Sequence, residues 1–218
     1  MAKKQKTFDK VAWVGAYKDY VLHHGERPAP FKSLAEFADQ PYANLLACFD
    51  SLELLEAAVV LLYFKQTNEL LEADEKFEAH SDKEKHLAFL YVLMEKTQEE
   101  EVFLKEFQRL KRWDQRFAMS LFRMLNAQEF EWTAPSGWGS ATLDRLHIRP
   151  RQTALIHHAL TVMAYSLRDQ SAEKQDTDAF IEKSTDVLFR ITDSGTLRSV
   201  VDLGKFLMSR NARTFSWE

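Results

Sequence analysis

Cysteine, glycine and proline are scarce in this chain. Of 218 residues, one is Cys, six are Gly and five are Pro. A lone Cys48 cannot close an internal disulfide, so a disulfide scaffold is excluded and nothing implies an oxidising compartment. Long apolar runs are also missing. The longest, Ala57 to Phe64, has eight residues, against about 20 for a membrane-spanning helix. The first residues, Met-Ala-Lys-Lys-Gln-Lys, precede no apolar core and do not form a signal peptide. Together these absences predict a cytoplasmic protein. Neither charge sign dominates: 29 Lys and Arg face 33 Asp and Glu, a net −4. Hydrophobic residues make up 45%, enough for a packed core and too many for a disordered chain.

Gly and Pro are the residues that most disfavour a helix, and the stretch from Asp50 to Ala134 contains neither. The apolar spacing agrees with an all-α chain. Val11, Val14, Tyr17, Val21 and Leu22 mark a first helix that Gly25 can close. Residues 31–38 and 41–49 are two short helices, with Pro41 suited to a first turn. Ser51 is a candidate N-cap for a fourth helix running to about Leu71. Ser81 and Glu84 form a capping-box pattern before Leu87, Leu90, Tyr91 and Met94. Further helices carry Val102, Leu104, Phe107 and Leu110, then Phe117, Leu121 and Met124. Residues 129–150 read as irregular. Helix resumes with Leu155, Ala159, Val162 and Met163, and two last helices flank Asp193-Ser194-Gly195. No repeat with a period of 20–50 residues is present.

The division expected is a three-helix unit over residues 1–50 and a larger helical body over 51–218. Within the first, the two short helices are joined by a tight turn. Ala35 and Ala38 are small where the helices approach, and Asp39 tolerates the left-handed backbone such a turn needs. This is helix-turn-helix spacing. It resembles the TetR family of bacterial transcriptional regulators. There, an aliphatic residue is followed by Ile-Ala, Ala-Gly-Val-Ser, Thr-Leu-Tyr and a Phe before a Ser-begun fourth helix. Phe31, Leu34, Ala35, Ala38, Leu45, Phe49 and Ser51 occupy those places without a gap. Phe180-Ile-Glu-Lys-Ser184 and Asp202-Leu-Gly-Lys-Phe-Leu207 are similar to a C-terminal pattern of one branch. This chain differs at the turn, with Asp39 for Gly, Gln40 for Val and Pro41 for Ser, and it has Leu46 for Tyr and Cys48 for His.

The resemblance implies an operator-binding homodimer that answers to a small apolar ligand. Affinity for duplex DNA rests on cations against phosphate, and base reading on polar side chains in the groove. The candidates for DNA contact are Lys3, Lys4, Lys6, Arg27, Lys32, Tyr42 and Asn44. Residues 41–49 hold no Lys or Arg, and residues 1–50 carry seven cations against six anions. An alternative is therefore a TetR-fold small-molecule, lipid-binding or interaction protein that no longer reads DNA. Candidates for the ligand lining are Phe89, Met94, Trp113, Phe117, Met124, His157 and Met163, since such pockets are mostly apolar with a few polar groups. Candidates for a dimer contact are Val187, Phe189, Leu197, Val200, Val201 and Phe206. Chemistry motifs are lacking. There is no Gly-rich phosphate loop and no His-Glu-x-x-His, and no His follows a Glu by three residues. The adjacent pairs His23-His24 and His157-His158 diverge by about 100° on a helix and make poor two-point metal ligands. Glu99-Glu100-Glu101 reads as a solvated helix start. No enzyme activity, metal or cofactor is expected.

Overall fold

A computed structural model describes residues 8–110, 115–128 and 150–193. The described residues are α-helical, with short 3-10 turns and no strand. Contacts divide the chain into two compact units, Met1–Gln170 and Ser171–Glu218.

In the first unit, α1 (Lys10–His24) starts on Asp9, whose carboxylate accepts the Ala12 N–H at 2.8 Å. It ends on Gly25 at φ 65°, whose N–H reaches the Val21 carbonyl. The buried stripe is Trp13, Val14, Tyr17, Tyr20 and Val21. Val11 and Leu22 are exposed, although their spacing placed them in the stripe. The aromatic rings carry more apolar area than the aliphatic ends, and they set which face turns inward.

Helices α2 (Lys32–Phe37) and α3 (Tyr42–Cys48) follow. The turn between them is a Schellman motif. The Gln40 N–H donates to the Ala35 carbonyl (3.0 Å) and the Asp39 N–H to the Glu36 carbonyl (3.2 Å). Asp39 sits at φ 50°, the left-handed region expected for it. That backbone suits glycine and strains a side chain. Asp39→Gly is thus expected to raise the unfolding free energy by about 0.5–1 kcal/mol, and Asp39→Val to lower it. Urea midpoints at constant m-value report the sign. Leu34 and Ala35 of α2 are buried, as are Leu45 of α3 and Phe49 just beyond it, where the backbone is already extended.

Helix α4 (Leu52–Glu72) begins on Ser51, whose Oγ accepts the Leu54 N–H. It packs most extensively against α7 (Gln115–Asn126), and also against α1 and α5 (Asp82–Glu99). The capping box of α5 forms as its spacing predicts: Ser81 Oγ accepts the Glu84 N–H, and Glu84 accepts the Ser81 N–H at 2.8 Å. The Ser81 hydroxyl, which also donates to Glu84 Oε2 at 2.7 Å, and then the Ser81 N–H hold the Glu84 carboxyl below its usual range. After one residue, Glu100, comes α6 (Glu101–Leu110), which meets α1. Its buried residues are Phe103, Leu104 and Phe107, while Val102 is 72% exposed. Helix α8 (Pro150–Ser166) packs against α5 and α7. Leu155, Ala159, Val162 and Met163, the positions that signalled it, are all buried.

The second unit is described over a 3-10 turn (Ala172–Lys174) and α9 (Gln175–Asp193). In α9, Thr177, Ile181, Thr185 and Phe189 recur at every fourth position and are buried. Of the stretch 129–150 expected to be irregular, Pro150 instead opens α8, and residues 129–149, Trp113 and the residues of the last expected helix, 197–207, lie outside the described residues.

Candidate functional site

Three arrangements in the first unit bear on function. They are the outer face of α3, two polar knots that hold α1, and an apolar cavity between α4, α6, α7 and α8.

Leu45 anchors α3 inward, so its opposite side faces out. That outer side is Ala43, Leu46 and Ala47, all exposed and all apolar. Tyr42 and Asn44 are half-buried. The Tyr42 ring stands edge-on to Phe31 at 6.3 Å. Lys32 is exposed and pairs with Glu36 at 3.0 Å. Lys3, Lys4 and Lys6 lie outside the described residues.

Arg27 turns toward α4. Its Nε donates to Glu56 Oε1 at 2.7 Å and its Nη2 to Oε2 at 3.0 Å. The Tyr17 hydroxyl donates to the same Oε1 at 2.8 Å. Glu56 is fully buried within α4. Burial opposes the Arg27 charge, but the Glu56 bonds and charge outweigh it and hold the guanidinium above its ordinary pKa. Burial, then the Glu56 charge, push the Tyr17 phenol far above its usual range, so it stays a donor. The Tyr17 ring also stands edge-on to Phe103 and Phe107 of α6.

The second knot joins α1, α4 and the α5–α6 junction. Glu100 Oε2 accepts from Lys18 Nζ and from the Tyr63 hydroxyl, each at 2.6 Å. Lys18 lies over the Tyr63 ring at 4.6 Å. Burial would raise the Glu100 pKa, but the two donors outweigh it and hold the carboxyl below its ordinary range. Glu100 is therefore more than a solvated helix start. At the far end of α6, Arg109 Nη2 donates to the Gly25 carbonyl at 2.9 Å. Sequence patterning alone missed both knots. Their one visible signal is a carboxylate, Glu56, inside the apolar run of α4.

The cavity measures about 60 Å³. Val60 of α4 and Leu104 and Phe107 of α6 wall one side, and Phe117 and Met163 the other, with Gln108 as its polar group. A neighbouring groove of about 260 Å³ runs between α7 and α8. It is lined by Phe122 and Leu125 of α7 and by Ile156, His157 and Thr161 of α8. Leu121, Leu160 and Ala164 border both spaces. Of the residues expected to line a ligand site, Phe117, Met163 and His157 are thus brought to these two spaces. Phe89 is in the packing between helices, its ring 5.3 Å from Phe64. Met94 is buried on α5, and Met124 borders neither space. Gln108 was not foreseen, although it follows Leu104 by one helical turn on a strongly amphipathic helix.

A buried polar pair tethers α5 to α8. His86 Nε2 and His158 Nδ1 share a hydrogen bond of 2.8 Å. Nearby, Arg151 donates to Asp82 at 2.7 Å. Burial, the His158 ring and the Arg151 charge push His86 well below its usual pKa, and burial lowers His158. Among the described residues, no three His, Cys, Asp or Glu gather as a metal site, and no helix is long and apolar enough to cross a membrane. In the second unit, Val187 is exposed on α9 and Phe189 is buried. Leu197, Val200, Val201 and Phe206 lie outside the described residues.

No curated protein and no solved structure matches the chain. The family model described as tetracyclin repressor-like, C-terminal domain, matches residues 77–207. That stretch begins at the turn before α5 and covers more than half of the chain, including α6, α7 and α8 around the cavity. With an all-α architecture whose front carries the helix-turn-helix spacing, the chain belongs to the tetracycline repressor-like (TetR) family.

Proposed function

We propose that this protein is a ligand-responsive transcriptional regulator. Residues 1–50 meet operator DNA, residues 51–218 hold a small apolar ligand, and two copies act together as a homodimer. The observation that carries the reading is the α2–α3 turn. Asp39 takes the left-handed backbone, and Leu34, Ala35 and Leu45 pack the two helices while α3 keeps an outer face free. A face of Ala43, Leu46 and Ala47 can meet thymine methyl groups in the major groove. Lys3, Lys4, Lys6 and Lys32 are the candidates for phosphate contact, with Tyr42 and Asn44 at the edge of the reading face. Arg27 supports the unit through Glu56. A two-fold axis would place two such units on successive half-sites, with Val187, Leu197, Val200, Val201 and Phe206 offered for the subunit contact. The role is binding, in the cytoplasm, and not catalysis.

A second reading is favoured by the same helix. An uncharged α3 and an Arg27 committed to Glu56 leave few cations for phosphate. On that reading the chain is a TetR-fold ligand carrier that does not read DNA.

A gel shift with the full-length protein and its own upstream DNA separates the two. The regulator is expected to shift the duplex at roughly 50 mM salt and to lose affinity steeply by roughly 200 mM, as phosphate contacts do. No shift at low salt, with an apolar molecule extracted from the purified protein, would establish the carrier instead.

A further inference from the structure

We infer that the cavity and the groove are one track along the α7–α8 seam, and that its occupant is a linear aliphatic chain with a compact hydrogen-bonding head. The inference deepens the ligand-binding part of the proposed function and rests on that part alone.

The first ground is continuity. Leu121, Leu160 and Ala164 border both spaces. These three form a shared border, and rotamer changes at Leu121 and Leu160 would open one space into the other. The second ground is shape. Along α8 and the residue just after it, the bordering residues run from Ile156 to Leu167, about 16 Å at the helical rise of roughly 1.5 Å per residue. The groove lies between α7 and α8, and the cavity that extends it is walled also by Val60 of α4 and Leu104 and Phe107 of α6. A track of that length hemmed in by helices suits a chain better than a fused ring. Joined, the two spaces reach the lower edge of the ~300–1,000 Å³ typical of small-molecule sites.

The third ground is polarity. Thr161 Oγ donates to the His157 carbonyl of its own helix at 2.8 Å. The exposed His157 ring, tilted against Phe122 at 6.1 Å, is then the directed polar group of the groove. The cavity end is apolar except for the half-buried Gln108. A head at His157 with a tail toward Leu167 satisfies both ends. The fourth ground is compliance. Helix α7 packs far more extensively on α4 than on α8. Gln152 ties α8 to the Gln128 carbonyl, beyond the C-terminal end of α7, at 2.9 Å. The seam can widen while α4 and α7 stay packed.

The test uses purified full-length protein stripped of lipid and cis-parinaric acid, a straight-chain fluorescent fatty acid. Saturable binding is expected, with displacement by stearic acid and not by cholesterol. Ala164→Phe puts a ring where the two spaces join and is expected to weaken binding at least about tenfold, with thermal midpoint and helicity retained. Ala118→Phe, which fills the groove from α7, serves the same purpose if the first variant does not fold. The inference is overturned by an absence of saturable binding, by equal displacement with cholesterol, or by unchanged affinity in a folded variant. No DNA enters this assay. A missing operator shift leaves it untouched, and its own failure beside a salt-dependent shift leaves the regulator standing.

Discussion

Glu56→Ala is expected to lower the unfolding free energy by about 3–5 kcal/mol, the usual cost of removing one partner from a buried ion pair. Glu56 is fully buried and accepts three hydrogen bonds, two from Arg27 and one from Tyr17. Without it, the phenol loses its acceptor and the guanidinium keeps only the more distant Glu53, 4.0 Å away, of the two carboxylates it pairs with. Arg27 is a quarter exposed and can recover some hydration, which favours the lower end of that range. Tyr17→Phe removes one hydrogen bond and no charge, and should cost about 1 kcal/mol. Urea unfolding of Glu56→Ala, Arg27→Ala and the double variant forms a cycle. A coupling energy above about 1 kcal/mol is expected for groups in direct contact, whereas additive losses would show that the pair is not a unit. The cluster joins α1, the segment before α2, and α4. Its loss should therefore free the N-terminal helices before the rest of the body melts.

Acid should weaken the protein from about pH 6.5 downward, before the carboxylates titrate. His86 has a folded pKa well below its unfolded value near 6.5, because burial, His158 and Arg151 all oppose its charge. Above pH 6.5 the ring is neutral in both states and contributes no pH dependence. Below it, the unfolded chain takes up a proton that the fold refuses. Stability then falls with pH, by up to about 1.4 kcal/mol per pH unit for one such site, until the folded pKa is reached. Urea midpoints at pH 7.5, 6.5 and 5.0 measure it. In His86→Leu this component should vanish, so the variant and the wild type converge as pH falls. Parallel pH profiles for the two proteins would refute the assignment.

What the chain revealed in one dimension was mostly what is local. The Ser51 cap, the Ser81–Glu84 box and the Asp39 turn each depend on residues within five positions of one another. All three form as their spacing predicts. The family resemblance was equally legible, because its signature is a spacing. Reading faces was harder. Val11, Leu22 and Val102 fit an apolar period and are exposed, because Trp13, Tyr20 and Phe103 outweigh them. Long-range polar partners left no pattern at all. Glu56 and Tyr17 are 39 positions apart, and His86 and His158 are 72. The seam of α7 and α8 was half visible. Phe117, His157 and Met163 announced themselves by residue type, whereas Leu121, Leu160 and Ala164 look like any core positions.

The single residue between α5 and α6 fixes chain length at that point. Glu100 is anchored by Lys18 and Tyr63 from two other helices, and α6 starts immediately after it. One added or deleted residue there would turn α6 by about 100°. Phe103, Leu104 and Phe107 would swing out, and Val102 would swing in. The exposed residues 73–76, between α4 and the turn at Phe77, carry no such constraint. Insertions are therefore expected to be accommodated at 73–76 and rejected at 100, which makes the former the natural place to splice a tag or label into this half of the protein.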